Sequence, residues 1–298
     1  MEYLKKNDKI AIVSTARKIS ESEILPAINK LEEWGFEVVT GKNIYKTDNQ
    51  FAGTDFERAE DFQLMLDDDS VKAILCARGG YGTVRIIEKL NFKKFIKNPK
   101  WIIGYSDITV LHSYLHTKLN IPSIHATMPL NFLSDGSDNE STNSLKNALF
   151  GNISEYQVTD NEFNKPGFAE GILIGGNLSI LYSLSGTELD IDTKNKILFI
   201  EDIDEYLYHI DRMMMNLNLS GKLKNLSGLI VGGMTDMRDN TIPFGKSAYQ
   251  IISDIVSEYN YPVCFNFNAG HAEPNLALCF GKPVQLSVMG NKSELKFL

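Results

Sequence analysis

A serine that directly follows an apolar run is the residue most clearly placed to do chemistry. Trp-Ile-Ile-Gly at residues 101–104 is typical of a buried strand, and Tyr105, Ser106 and Asp107 lead into a predicted helix over about 107–119. A sharp strand-to-helix turn projects its central side chain over the carboxyl end of a parallel sheet, where backbone N–H groups face a ligand. This pattern favours Ser106 as a nucleophile and the Asp107 amide as an oxyanion donor. The alternative is that Ser106 only caps the helix.

A glycine-rich motif, Arg-Gly-Gly-Tyr-Gly at residues 78–82, directly follows another apolar run. Glycines allow a backbone to approach a ligand closely and to turn its N–H groups toward it. The motif has neither the spacing of a dinucleotide-binding fingerprint nor the lysine of a P-loop. Neighbouring strands of a parallel sheet end at the same edge, so Gly79 or Gly80 could supply a second oxyanion N–H beside Ser106. An ordinary tight turn is the alternative.

An attacking serine needs a base, and one of the five histidines lies in a polar loop of small residues. His271 lies within residues 268–275, between two strand-like segments. Loops often carry active-site residues, although a histidine in a loop is also often incidental. His112 and His116 are one helical turn apart, but no glutamate lies between them as in the HExxH motif, so we expect no metal site. His271 is therefore the candidate base.

A carboxylate that could orient such a histidine follows the apolar run at residues 197–200. Glu201 would be fixed to a rigid strand, as the third member of a catalytic triad should be. Glu205, in the same acidic segment, is its nearest competitor. The alternative is that the acidic residues 201–205 form only a solvated helix start that complements the helix dipole.

Length and composition indicate an ordinary globular protein. The chain has 298 residues, of which 43% are hydrophobic and 23% charged, and roughly 150 residues per domain suggests two domains. A net charge of −8 argues against nucleic acid or an anionic membrane as partner. Three cysteines without CxxC spacing fit a reducing compartment, and the N-terminal residues lack the apolar region of a signal peptide. We therefore expect a cytoplasmic protein.

The elements that would position the candidate residues alternate between short apolar runs and amphipathic stretches in the first half of the chain. This β-α-β-α order predicts an α/β fold, with an open parallel sheet and flanking helices in an N-terminal domain over residues 1–133. The pattern breaks over residues 134–166, which we interpret as a linker region. Residues 167–298 are predicted to form a smaller, mixed α+β C-terminal domain that carries the glutamate and the histidine.

Six motifs occur in order along the chain: Arg-Gly-Gly-Tyr-Gly (78–82), Gly-Tyr-Ser-Asp-Ile-Thr (104–109), Gly-Gly-Asn-Leu (175–178), Phe-Ile-Glu-Asp (199–202), Asp-Arg-Met (211–213) and Ala-Gly-His (269–271). Together they resemble the LD-carboxypeptidase family of serine peptidases, which includes muramoyltetrapeptide carboxypeptidases and microcin-C immunity peptidases. The resemblance spans nearly the whole chain. It implies a triad of Ser106, Glu201 and His271.

The resemblance also implies a substrate and the groups that would bind it. The substrate would be a small peptide with a C-terminal D-residue, namely the murein tetrapeptide, which loses D-Ala during cell-wall recycling. The amides of Asp107 and of Gly79 or Gly80 would form the oxyanion hole. Arg78 and Tyr81 are candidates for contact with the substrate. No residue pattern asks for a metal or nucleotide cofactor, and the resemblance implies a homodimer. Two alternatives stay open: a peptidase of the same family that detoxifies a peptide-nucleotide antibiotic, and a non-catalytic two-domain ligand-binding protein.

Overall fold

The chain forms two compact units in a computed structural model that describes residues 1–153, 155–290 and 292–298. The first unit comprises Met1–Asn152 and Leu276–Cys279, and the second comprises Ile153–Asn275 and Phe280–Leu298. Among the described residues, no helix is both long and apolar enough to cross a membrane.

The first unit is built on a six-stranded sheet. Its strands are β1 (Lys9–Val13), β2 (Glu37–Thr40), β3 (Val71–Cys76), β4 (Trp101–Ile103), β5 (Ser123–His125) and β11 (Leu278–Phe280). They lie in the order β11-β5-β4-β3-β1-β2, and the pairs from β5 to β2 are parallel. The central strands are almost fully buried, which is why they read as short, uninterrupted apolar runs. The predicted open parallel sheet is confirmed.

The helices of the first unit follow the strands, as the alternating pattern predicts. They are α1 (Glu21–Glu33), α2 (Asp55–Asp67), α3 (Thr83–Ile86), α4 (Lys93–Lys97), α5 (Thr109–Tyr114) and α6 (Glu140–Phe150). Three of them begin with a reciprocal capping box: Ser20 with Glu23 at α1, Thr54 with Glu57 at α2 and Asn139 with Thr142 at α6. Such boxes satisfy backbone N–H groups that the helix itself leaves without acceptors, and so they fix where each helix begins.

A mixed seven-stranded sheet forms the centre of the second unit. Its strands are β6 (Glu155–Thr159), β7 (Gly167–Asn177), β8 (Lys196–Ile203), β9 (Gly228–Thr235), β10 (Val263–Cys264), β12 (Pro283–Met289) and β13 (Lys292–Phe297). The order is β10-β9-β8-β7-β12-β13-β6, with parallel pairs from β10 to β7 and antiparallel pairs from β7 to β6. Its helices are α7 (Leu178–Ser183), α8 (Leu207–Leu219) and α9 (Ala248–Val256).

An apolar core in the second unit joins α8 and α9 to the central strands. Ile210 and Met213 of α8, Ile252 of α9, and Leu198 and Ile200 of β8 belong to one buried cluster. Burial of a side chain of this size contributes about 1.5–3 kcal/mol. Because the cluster includes the residue just before Glu201, it fixes the end of the strand that carries this glutamate.

The expected linker over residues 134–166 is not a linker. It contains α6, which belongs to the first unit, and β6, which pairs with β13 at the edge of the second sheet. Three buried apolar residues of α6, Leu145, Ala148 and Leu149, have helical spacing, but the polar residues around them hide it. The strand β6 is mostly exposed and so lacks an apolar signature. The polar composition of residues 134–166 therefore hid both elements in the sequence and favoured the interpretation as a linker.

Candidate functional site

A tight turn at the end of β4 carries Ser106 with an unusual backbone. In this segment, residues 104–107 (the serine turn), Gly104 has φ +152° and Ser106 has φ +63°. Left-handed backbone in a residue other than glycine costs of order 1–3 kcal/mol and is concentrated at functional sites. Ser106 begins a 3-10 turn whose N-cap is Tyr105, and no side chain caps that turn. The capping alternative for Ser106 is therefore wrong.

The glycine loop, residues 78–82, lies close to this serine. A Cβ placed on Gly79 would lie 3.1 Å from Cβ of Ser106 and 3.3 Å from its Oγ. Gly80 and Gly82 have φ values of +112° and +148°, which side chains rarely adopt. The structure therefore brings Gly79 and Ser106 together, as the order of the strands predicts.

The Asp107 side chain points into the protein. It is 1% exposed, and its Oδ2 accepts a hydrogen bond of 2.8 Å from the backbone N–H of Thr83. The Oγ1 of Thr83 in turn donates to Oγ1 of Thr15 at 2.9 Å. Burial raises the pKa of the Asp107 carboxyl, and the hydrogen bonds from Thr83 partly oppose this shift. Sequence reasoning considered the backbone amide of Asp107 and missed this carboxylate contact.

His112 supports the serine turn from α5. Its Nε2 lies 2.9 Å from the carbonyl oxygen of Gly104, and its Nδ1 lies 2.7 Å from Oγ of Ser123. Burial lowers the pKa of His112 to about 4, which keeps the ring neutral at ordinary pH. Within the described part of the chain, no group of three or more His, Cys, Asp and Glu side chains is placed to hold a metal ion.

In the second unit, Glu201 and His271 form a close pair. Glu201 lies in β8 and is fully buried, whereas the His271 side chain is 15% exposed. Oε2 of Glu201 accepts a 3.0 Å hydrogen bond from the backbone N–H of His271 and lies 2.7 Å from its Nδ1. This contact favours the tautomer with a proton on Nδ1, in which Nε2 is the basic nitrogen.

The charges around His271 favour its protonated form. Burial by itself lowers the pKa of His271, but the hydrogen bond and charge of Glu201, with the charge of Asp202, outweigh it and raise the pKa. Asp202 is also buried, and this burial together with the charge of Glu201 raises its pKa to about 7. The pair can therefore accept and hold a proton on the imidazole during a reaction.

The competing carboxylate, Glu205, contacts a different histidine. Its Oε2 lies 2.5 Å from Nδ1 of His209, which is one helical turn further along the chain. The two glutamates thus contact different histidines, and Glu201 rather than Glu205 contacts His271.

Three further residues, to which the sequence analysis assigned no role, hold the histidine loop, residues 269–275. A Cβ on Gly270, which has φ +88°, would lie 2.3 Å from Cγ of Glu201. The backbone N–H of Gly270 donates to Oδ1 of Asn275 at 2.9 Å, and the Thr235 hydroxyl donates to the carbonyl of His271. Of these residues, the sequence analysis singled out only the glycine directly before the histidine, in the Ala-Gly-His motif.

The two candidates for substrate contact, Arg78 and Tyr81, lie in the glycine loop itself. Arg78 donates from Nη1 to the carbonyl oxygen of Lys18 at 3.3 Å and lies 3.8 Å from Oε1 of Glu23 in α1. Tyr81 is 45% exposed, and its ring centroid is 6.1 Å from that of Phe51. A role for Arg78 and Tyr81 in substrate binding stays a prediction.

Comparison with known proteins matches both halves of the chain to one family. Residues 10–126 match the LD-carboxypeptidase N-terminal domain, and residues 170–286 match the LD-carboxypeptidase C-terminal domain. A protein of Bacillus subtilis (strain 168) named probable murein peptide carboxypeptidase is 36% identical over 291 residues, which cover 93% of this chain and 88% of that protein.

Solved structures match over nearly the full length. Muramoyltetrapeptide carboxypeptidase from Oxalobacter formigenes aligns with a TM-score of 0.87 and 28% identity, covering 97% of this chain and 98% of that one. The microcin C7 self-immunity protein, in complex with aspartyl sulfamoyl adenosine, aligns with a TM-score of 0.85. At 23% identity, over 99% of this chain and 97% of that one, it shows a shared fold alone.

Proposed function

Because this chain belongs to the LD-carboxypeptidase family, we propose that it is a serine peptidase that hydrolyses the L,D-amide bond of murein tetrapeptide and releases the C-terminal D-Ala. The names of its relative from B. subtilis and of the O. formigenes structure support this substrate. The observation that carries the proposed mechanism is the φ of +63° at Ser106. A serine held in this conformation at the end of a parallel strand is the arrangement of a nucleophile elbow.

In the proposed first step, Oγ of Ser106 attacks the scissile carbonyl while Nε2 of His271 takes the hydroxyl proton. Glu201 keeps Nδ1 protonated and stabilises the imidazolium that forms. The raised pKa of His271 supports this role, because the base must retain the proton until the leaving group departs. The imidazolium then gives this proton to the amine of D-Ala, and the peptide stays on Ser106 as an ester.

In the second step, water is the nucleophile and Ser106 is the leaving group. His271 takes a proton from water, the hydroxide attacks the ester, and Oγ of Ser106 leaves with the proton. The negative oxygen in both steps would be stabilised by the amide of Asp107 and by an N–H of Gly79 or Gly80. Each such donor is worth about 10²–10³ in rate. Neither of the two proposed reaction steps requires a cofactor.

The carboxylate of the departing D-residue needs a cation, and we assign this role to Arg78, with Tyr81 beside it. Arg78 lies 3.8 Å from Glu23 at the start of α1, so a substrate carboxylate would compete with that side chain. A contact between Arg78 and Glu23 in a partly exposed position is weak and can be exchanged.

The proposal also covers the setting of the reaction. The buried, free thiols of Cys76 and Cys264 support a reducing compartment such as the cytoplasm, where murein fragments would be recycled. We propose a homodimer, and light scattering after size-exclusion chromatography tests this assembly directly.

The function is tested by incubating the protein with an L,D-tetrapeptide and measuring tripeptide and free D-Ala by mass spectrometry. Ser106→Ala should lower kcat by about 10⁶-fold, because the nucleophile is lost. Ser113→Ala is the matched control: this buried hydroxyl on α5 has no hydrogen-bond partner among the described residues, so its loss should leave kcat unchanged. No product from the native protein would rule out the function, and full activity of Ser106→Ala would rule out the mechanism.

A parallel assay with an aminoacyl sulfamoyl adenosine tests the alternative that the enzyme detoxifies a peptide-nucleotide antibiotic. A higher kcat/KM for that compound than for the tetrapeptide would favour the alternative. Binding of the tetrapeptide without any turnover would favour a non-catalytic binding protein.

A further inference from the structure

One hydrogen bond joins the serine turn to the residue that follows the glycine loop. Asp107 and Thr83 are 24 residues apart in sequence, and both side chains are buried. The bond runs from the backbone N–H of Thr83, the first residue of α3, to Oδ2 of Asp107 at 2.8 Å. A carboxylate that holds a backbone N–H in this way fixes the position of the chain on both sides of the contact.

The glycine loop needs such an anchor. Gly80 and Gly82 have φ values that few other residues adopt, and glycine backbones have many alternative conformations. The loop must also stay close to the nucleophile, since a Cβ on Gly79 would already lie 3.1 Å from Cβ of Ser106. Small shifts of a loop that carries an oxyanion donor lower the rate, because the donor must lie about 3 Å from the developing charge.

A second set of contacts holds Thr83 through its side chain. Oγ1 of Thr83 donates to Oγ1 of Thr15 at 2.9 Å, and the carbonyl of Thr15 accepts from Nε of the buried Arg58 at 3.1 Å. Thr83 is therefore fixed by its backbone to Asp107 and by its side chain to Thr15. The end of the glycine loop has two anchors, and only one of them comes from the serine turn.

We propose that the carboxylate of Asp107 is a positioning residue that fixes the glycine loop relative to Ser106, so that the loop N–H groups are aligned with the oxyanion. This inference rests on the proposed function. It is separate from the role of the Asp107 backbone amide as an oxyanion donor, because it concerns only the side chain. Burial raises the pKa of this carboxyl, and the hydrogen bonds from Thr83 partly oppose the shift.

Two substitutions at Asp107 test the inference with the tetrapeptide assay. Asp107→Ala keeps the backbone amide but removes the acceptor for Thr83, so kcat should fall by about 10–10²-fold while KM changes little. Asp107→Asn keeps an oxygen that can accept from the Thr83 N–H, and it should recover kcat to within about threefold of the native value. The pH at which kcat/KM falls should be the same in both variants, because His271 is untouched.

Asp61 provides a matched control for the loss of a buried carboxylate. It is 2% exposed, and it accepts hydrogen bonds from the backbone and side chain of Asn43 at 2.8 and 2.9 Å. Asp61→Ala should lower the melting temperature as Asp107→Ala does but leave kcat unchanged. If Asp107→Ala does not fold, Asp107→Ser replaces it with the same expectation, since serine is too short to reach Thr83.

Three outcomes would overturn the inference. Unchanged kcat in folded Asp107→Ala would mean that the contact is only structural. An equal loss in the Ala and Asn variants would mean that the charge itself acts in the reaction. A wild-type protein that fails to cleave the tetrapeptide would overturn the proposed function, and this inference with it, whereas the first two outcomes leave the function intact.

Discussion

The serine turn and the histidine loop are held in place by different means. Ser106 is fixed by its own backbone, between a buried strand and a 3-10 turn, with a left-handed φ of +63°. His271 is fixed by side chains from distant parts of the sequence: Oε2 of Glu201 contacts both its backbone N–H and its ring, and the Thr235 hydroxyl donates to its carbonyl. The first position is a property of a short segment, and the second depends on a tertiary contact.

This difference predicts how each region responds to substitution. The serine turn has two supports, because His112 contacts the carbonyl oxygen of Gly104 and the backbone N–H of Thr83 donates to Asp107. In the histidine loop, one buried carboxylate sets the position of the chain, the tautomer of the ring and its affinity for a proton. Loss of Glu201 should therefore be more damaging than loss of any single support of the serine turn.

The largest expected effect comes from Glu201→Gln. The amide keeps the shape of the side chain but removes the charge that stabilises the imidazolium, so kcat should fall by about 10⁴-fold. Glu205→Gln, which changes the glutamate that contacts His209, is the control and should lower kcat by less than about threefold. Similar losses in both variants would contradict the assignment of Glu201.

The pH dependence of kcat/KM tests the role of Glu201 in the histidine loop in a second way. Below its pKa, His271 is protonated and cannot act as a base, so kcat/KM of the native protein should fall as pH drops through a pKa above the usual 6.5. In Glu201→Gln, the burial that lowers this pKa remains while the main cause that raises it is gone. The acidic limb should therefore move to lower pH in the residual activity of the variant.

A smaller effect is expected from Gly270→Ala. The added Cβ would lie 2.3 Å from Cγ of Glu201, at a residue with φ +88°, so the pair with His271 must shift. We expect a loss of about 10²-fold in kcat and of about 1–3 kcal/mol in stability. Gly186→Ala is the control: its φ of +76° brings similar strain, but no atom of the described residues lies within 4 Å of the new Cβ. Equal kinetic losses would show that strain alone is responsible.

The smallest effect is expected on the serine side, from Gly79→Ala. The added Cβ would lie 3.1 Å from Cβ of Ser106, a distance that a shift of a few tenths of an ångström relieves. We expect a loss of about tenfold in kcat with little change in KM. The control is Gly290→Ala, where no atom of the described residues lies within 4 Å of the new Cβ. A larger loss than in Gly270→Ala would reverse the comparison.

The sequence carried more information about the serine turn than about the histidine loop. An apolar run followed by Gly-Tyr-Ser-Asp predicts a strand, a turn and a helix within ten residues, and the structure has all three. The choice between Glu201 and Glu205 could not be made from spacing alone, because both lie in one acidic segment, Glu201 near the end of β8 and Glu205 just beyond it. It required the contact with His271, which is 70 residues away in sequence.

Two strands of the fold could not be predicted in full from the sequence, and the reasons are physical. The Gly-rich stretch that ends β7 has no alternating pattern, because small residues are needed where this strand approaches β8: a Cβ on Gly175 would lie 1.8 Å from the carbonyl oxygen of Phe199. The return of residues 278–280 to the first sheet could not be read either, since three apolar residues fit any buried strand.

That returning strand has a consequence for how the protein is made. Because β11 lies at one edge of the first sheet, the N-terminal unit lacks its last strand until residue 280 has left the ribosome. Folding during synthesis therefore cannot complete the first unit before nearly all of the second has been translated. The two units therefore complete their folding at nearly the same time, although their sequences are largely consecutive.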